Sequence, residues 1–140
     1  MKRHLTVLIL MFLLGIPYIM NAQCKQFDEK VCKGKLDPYV NYGNFVSTML
    51  NGGEYAELNL SFYSNQDYRI AICGLETVKN LEFRVYDIDH NLIYKNKDHN
   101  YSRTWDFKLQ ESQQLIVAII VPDLVKKAGC VAIFNGIKSK

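Results

Sequence analysis

Asp87, Asp89 and Asn91 stand in a D-x-D-x-N pattern, and Asp98 follows eleven residues after Asp87. Clustered carboxylate and amide oxygens at that spacing suit a hard cation, and calcium is the one cofactor the pattern would admit. Against it, the sixth position is Leu92, where an EF-hand loop needs glycine, and the twelfth is Asp98 in place of a bidentate glutamate. Short Asp and Asn side chains also bond their own backbone, so a turn shaped by Asp87, Asp89 and Asn91 is the preferred reading. His90 and His99 lie in neighbouring polar segments. With Asp87, Asp89 or Asp98 they have the chemistry to ligate zinc or to trade a proton near neutral pH. No H-E-x-x-H spacing supports this, and solvated loop histidines explain them as well.

Nucleophilic catalysis finds little footing. No G-x-S-x-G occurs, and Glu54, Glu57, Glu76, Glu82 and Glu111 show no arrangement that singles out a glycosidase pair. Binding chemistry is better represented, because tyrosine is frequent. Tyr63, Tyr86 and Tyr94 fall on the polar sides of their segments, where an aromatic strip would stack on sugar rings or grip a protein partner. Ordinary cross-strand packing is the competing use of the same residues.

Cys24, Cys32, Cys73 and Cys130 are even in number, and no CxxC pair favours zinc. Two disulfides are expected: of the three possible pairings, Cys24 with Cys32, favoured by proximity, and Cys73 with Cys130, linking the end of one strand to the start of the last, is preferred. The second would close a long loop worth about 4 kcal/mol in chain entropy. The compartment follows from the N-terminus: MKRHLTVLILMFLLGIPYIMNA has a basic start, an apolar core and a small residue at Ala22, the layout of a secretory signal over residues 1–22. No second apolar span follows it to anchor the mature chain in a membrane. Its removal takes two of the 17 basic residues and none of the 14 acidic ones, leaving 15 against 14 and a net charge of +1. That balance gives no support to nucleic-acid binding.

The elements that must position these residues are mostly strands. Between Asp67 and Asn91, Tyr68, Ile70 and Ile72 alternate with polar neighbours, and after a turn-like GLETVKN segment Leu81, Phe83 and Val85 do the same. A period of two marks half-buried strands. Ala56 to Phe62 and Trp105 to Leu109 alternate likewise, and Val85 to Ile88 leads through Asp89–Asn91 into Leu92–Tyr94 as a hairpin. Leu115 to Val121 is apolar on both faces, which predicts burial on both sides or a covering helix. One helix is expected from Asp37 and Pro38 onward: Tyr42, Phe45, Val46, Met49 and Leu50 recur at helical spacing, and Gly52 and Gly53 stop it. KNKDHNYS reads as an exposed loop. The sum is a mainly β chain, an antiparallel jelly-roll-like sandwich of about seven strands with one N-terminal helix, in one domain over residues 23–140.

The order NGGEYAELNLSFY, DYRIAIC, LEFRVYDIDHNLIY, WDFKL, LIVAIIV resembles the bacterial pre-peptidase C-terminal domain, an accessory jelly roll of secreted proteins. Tyr68 leading a strand, the aspartate turn after Val85 and the late apolar strand carry the likeness, whereas the cysteines are not part of that pattern. The N-terminus, with Asn21, Ala22 and Gln23, resembles those of exported proteins of the Bacteroidota. The resemblance implies an accessory or binding role and carries over no catalytic residue. The expectation is therefore a secreted, periplasmic or surface binding module that takes a protein or glycan and performs no chemistry. The alternatives are a small metal-assisted hydrolase using the loops from Asp87 to His99 and a structural component of the envelope.

Overall fold

The computed structural model describes Cys24, residues 32–43 and residues 45–139, so the predicted signal segment lies outside the described residues. Strands dominate: β1 (Val40–Asn41), β2 (Val46–Leu50), β3 (Tyr55–Phe62), β4 (Asp67–Gly74), β5 (Glu82–Tyr86), β6 (Leu92–Lys95), β7 (Thr104–Lys108), β8 (Gln113–Ile120) and β9 (Gly129–Ile137). Cys24 is in helical conformation, and the other helical elements among the described residues are single 3-10 turns, Lys33–Leu36 and Asn96–His99.

The strands form two antiparallel sheets. The first runs β1–β9–β4–β7, with β2 also pairing with β9, and the second runs β3–β8–β5–β6. Counting β1 and β2 as one interrupted strand, the chain pairs from the outside in: β2 with β9, β3 with β8, β4 with β7 and β5 with β6. This nested pairing is a long hairpin wound into two facing sheets, a jelly roll. The strands β4 and β5 both point apolar residues inward, as their alternation predicts. They do not pair with each other; the turn between them crosses from one sheet to the other.

The core lies between the sheets. Tyr68, Ile70 and Ile72 of β4, Phe83 and Val85 of β5, Leu115, Val117 and Ile119 of β8, and Val131 and Ile133 of β9 fill it, with Leu81 and Phe62. One side is closed by rings: Tyr94 of β6 stacks on Trp105 at 4.7 Å, and Trp105 on Phe107 of β7 at 4.3 Å. These large flat surfaces seal the seam where the edge strands of the two sheets meet.

The predicted helix over Asp37–Leu50 is not formed. Its second half is β2, registered on β9 from Val46↔Ile133 to Leu50↔Gly129. Val46, Thr48 and Leu50 satisfy a period of two as readily as Val46, Met49 and Leu50 satisfy a helix, and an open edge of β9 decides between them. Asn41 and Gly43 weaken any helix upstream, and Gly43 takes a positive φ of 87°. Among the described residues nothing helical covers β8: its outward Ile116 and Ile120 are half-buried, and Ala118 is buried between Glu57 of β3 and Arg84 of β5.

All four cysteines are bonded, but the pairing is Cys24–Cys130 and Cys32–Cys73, a correction to the proximity argument. Cys73 and Cys130 sit on the outer face of the first sheet, opposite in parity to Ile72 and Val131. Cys24 is thereby fastened to that face, and so is Cys32, which opens a strap over residues 32–39. Leu36 of the strap packs there with Ala71, Ala132 and Phe134 in a second small apolar cluster. Arg69 holds the strap further along: its Nη1 donates to the Asp37 carbonyl at 2.7 Å, and its guanidinium lies 4.6 Å from the centre of the Tyr39 ring.

Arg69 also grips Asp106 of β7 with a fork, Nε to Oδ1 at 2.6 Å and Nη2 to Oδ2 at 2.7 Å. Those hydrogen bonds hold the Asp106 carboxyl below the usual carboxylate range. A carboxyl depressed in the folded state contributes stability above the unfolded pKa of about 4 and loses it as pH falls through the lower folded value. Asp106→Asn is therefore expected to lower Tm at neutral pH, with the gap from wild type narrowing below about pH 4. A gap constant from neutral pH into the acid limb of a thermal denaturation series contradicts this.

Candidate functional site

Along β5, Phe83 and Val85 point inward, which turns Glu82, Arg84 and Tyr86 onto the outer face of the second sheet. Cross-strand register builds rows there. Glu57, Ala118, Arg84 and Lys95 form one, and Asn59, Ile116, Tyr86 and Leu92 the next. Arg84 Nε donates to Glu82 Oε1 at 2.6 Å, and that bond, then Tyr86, raises the guanidinium pKa. The charged row thus borders an apolar one.

The apolar row continues into the β5–β6 hairpin. Val85 pairs with Tyr94, but Tyr86 pairs with Leu92, so β6 carries one extra residue, Ile93, as a bulge. Ile88, Leu92 and Ile93 are 63%, 49% and 43% exposed. The turn beneath them is braced by one carboxylate. Asp87 Oδ1 accepts the Asp89 N–H at 2.9 Å and the Asn91 N–H at 2.8 Å, and Oδ2 accepts Asn91 Nδ2 at 2.8 Å. His90 takes a positive φ of 61° to close it. Those bonds, Asn91 foremost, hold the Asp87 carboxyl below its ordinary range. The result is an apolar tip on a turn braced by its own hydrogen bonds.

The calcium pattern is not assembled. The strand β6 separates Asp98 from Asp87, Asp89 and Asn91, and Asp98 instead faces Lys95 Nζ at 3.4 Å. Among the described residues no group of three or more His, Cys, Asp or Glu side chains comes together. The two histidines are also apart, at opposite ends of β6. His90 lies 6.4 Å from the Tyr86 ring, whereas His99 stacks on Tyr94 at 5.0 Å.

The three tyrosines do not share a strip. Tyr86 lies on the outer face, Tyr63 is exposed in the β3–β4 loop with its N–H bonded to the Tyr68 hydroxyl, and Tyr94 is turned inward, 9% exposed. A cleft of about 320 Å³ opens beside the stack, lined by Tyr94, His99, Ser102, Thr104, Trp105 and Asp106. Two of its polar groups have partners of their own: Asp106 is held by Arg69, and the Ser102 hydroxyl donates to the Thr104 carbonyl at 2.8 Å.

KNKDHNYS is not wholly exposed. Asn96 is completely buried, with its Oδ1 accepting the Phe83 N–H at 2.9 Å and its Nδ2 donating to the carbonyls of Leu81 and Ser102 at 3.0 Å each. It ties the start of β5 to the β6–β7 connection and so fixes the base of the hairpin. Arg103 steadies the neighbouring β4–β5 loop through the carbonyls of Gly74 and Val78, at 2.6 and 2.7 Å. Neither role leaves a mark in composition or spacing.

Among the described residues no helix is long and apolar enough to cross a membrane. No family model matches the chain, and no curated protein matches it. Of solved structures, the periplasmic lysozyme inhibitor PliG of Aeromonas hydrophila, an inhibitor of g-type lysozyme, superposes with a TM-score of 0.52 at 14% identity, over 70% of this chain and 92% of that one. At that identity what the two share is the fold.

Proposed function

We propose that this chain is an exported binding module that docks a protein partner through the tip of its β5–β6 hairpin and performs no chemistry. The observation that carries the reading is the trio Ile88, Leu92 and Ile93, exposed on a turn that Asp87 has already locked. Apolar side chains on a rigid support lose little entropy on docking, and burying them supplies the driving force. The charged row of Glu57, Arg84 and Lys95 beside them supplies a polar rim.

Two further observations support it. Both disulfides fasten an N-terminal cysteine, Cys24 or Cys32, to the sheet, which suits an oxidising compartment outside the cytosol. A protein of the same fold acts by binding another protein, since PliG inhibits a lysozyme. A glycan is the less favoured partner, because the tyrosines that would stack on sugar rings face different ways.

The test is capture of exported proteins, with a g-type lysozyme as a defined probe, on immobilised wild type and on the double variant Ile88→Asp/Leu92→Asp. Both sites are exposed, so Tm should stay within a few degrees. Retention of at least one protein is expected to fall about tenfold or more, as loss of a small apolar anchor predicts. Identical retained sets on the two surfaces would refute the hairpin as the docking element.

A further inference from the structure

Sheet edges present unpaired backbone N–H and C=O groups, and proteins blunt them with short strands, bulges or charge. Three of the edges here are blunted. The edge formed by β1 and β2 is broken into pieces of two and five residues. The strand β6 has four residues and a bulge, and β7 has five and carries Asp106 and Lys108. The strand β3 is different. It runs eight residues, Tyr55–Phe62, in unbroken register on β8, with no proline, lysine or arginine and with Glu57 as its one charge.

The side chains along that edge are also incompletely used. Ala56, Leu58 and Leu60 face the core yet are only half-buried, and Tyr55, Glu57, Asn59 and Ser61 are exposed on the outer face. The chemical complement of such an edge is another extended strand with apolar residues on its inner face and nothing acidic opposite Glu57.

We propose that this complement is a second copy of the chain, with β3 paired antiparallel to β3 of the partner about a two-fold axis. A register centred on Asn59 sets Glu57 opposite the partner's Ser61, Leu58 opposite the partner's Leu60, and Ala56 opposite the partner's Phe62. Inner faces then meet inner faces, as the period of two demands. Each glutamate meets a neutral residue, and each half-buried leucine is covered by its counterpart. A two-fold contact needs one surface that fits itself, and β3 meets that condition. The two four-stranded sheets become one, and because β6 is the opposite edge from β3, the two hairpins lie at its far ends.

Sedimentation equilibrium of the mature protein over a concentration series tests this. A reversible monomer–dimer equilibrium is expected. Asn59→Lys places two ammonium groups at the axis and should weaken the dimer about tenfold, with the monomer's Tm unchanged. Ser61→Lys faces the partner's Glu57 and should strengthen it. A protein that stays monomeric up to its solubility limit, or a dimer unmoved by both substitutions, overturns the proposal.

Discussion

Replacing Cys32 and Cys73 together by alanine is expected to lower stability by about 4 kcal/mol and Tm by about 15 °C. The two cysteines are 41 residues apart in sequence, and in the chain-entropy account a crosslink of that span restricts the unfolded chain by about that amount. The native state loses as well, because the crosslink presses the strap onto the sheet. Without it Leu36 no longer has a fixed seat over Ala71, Ala132 and Phe134. Thermal denaturation followed by circular dichroism reads the effect. Peptide mapping without reduction checks its premise, since a Cys24–Cys32 or Cys73–Cys130 crosslink contradicts the strap.

A loss of similar size, about 4 kcal/mol, is expected for Asn96→Leu. The side chain is fully buried and serves three backbone groups, so the substitution strands the Phe83 N–H and the carbonyls of Leu81 and Ser102 at about 1–3 kcal/mol each, partly relieved by relaxation. Asn96→Asp separates hydrogen bonding from packing, because its shape is nearly the same. Its carboxylate would face two carbonyl oxygens, so the folded state favours the protonated form. Relative to wild type, the variant should then be least destabilised in acid and lose ground as pH rises through the carboxyl range. Urea titrations at acid and neutral pH measure it. A deficit of Asn96→Asp relative to wild type that is smaller at neutral pH than in acid would contradict the buried bracket.

What was legible in the sequence was the alternation. Tyr68, Ile70 and Ile72, then Leu81, Phe83 and Val85, announce two inward faces, and both lie in the core. Features set by tertiary context were not legible. The run Val46–Leu50 fits two periods, one through Thr48 and one through Met49, and the open edge of β9 makes it a strand. Tyr94 does not share the polar side with Tyr86, because the extra residue Ile93 shifts the alternation along β6. The crosslinks follow from which face each cysteine takes and from where the strap lies, neither of which spacing encodes. Asp87 was legible because an Asx turn is local: its oxygens bond the N–H groups two and four residues on. Asn96 was not, since its partners come from β5 and from the far end of the next connection.

The claim that the hairpin tip is the docking element is tested most directly by photocrosslinking in cells that make the protein. A benzophenone side chain is placed at Ile88, and in a control at Lys108 on the edge of the first sheet. The account predicts a discrete crosslinked protein from position 88 that is absent from position 108. Crosslinks from position 108 alone, or the same products from both positions, would contradict it.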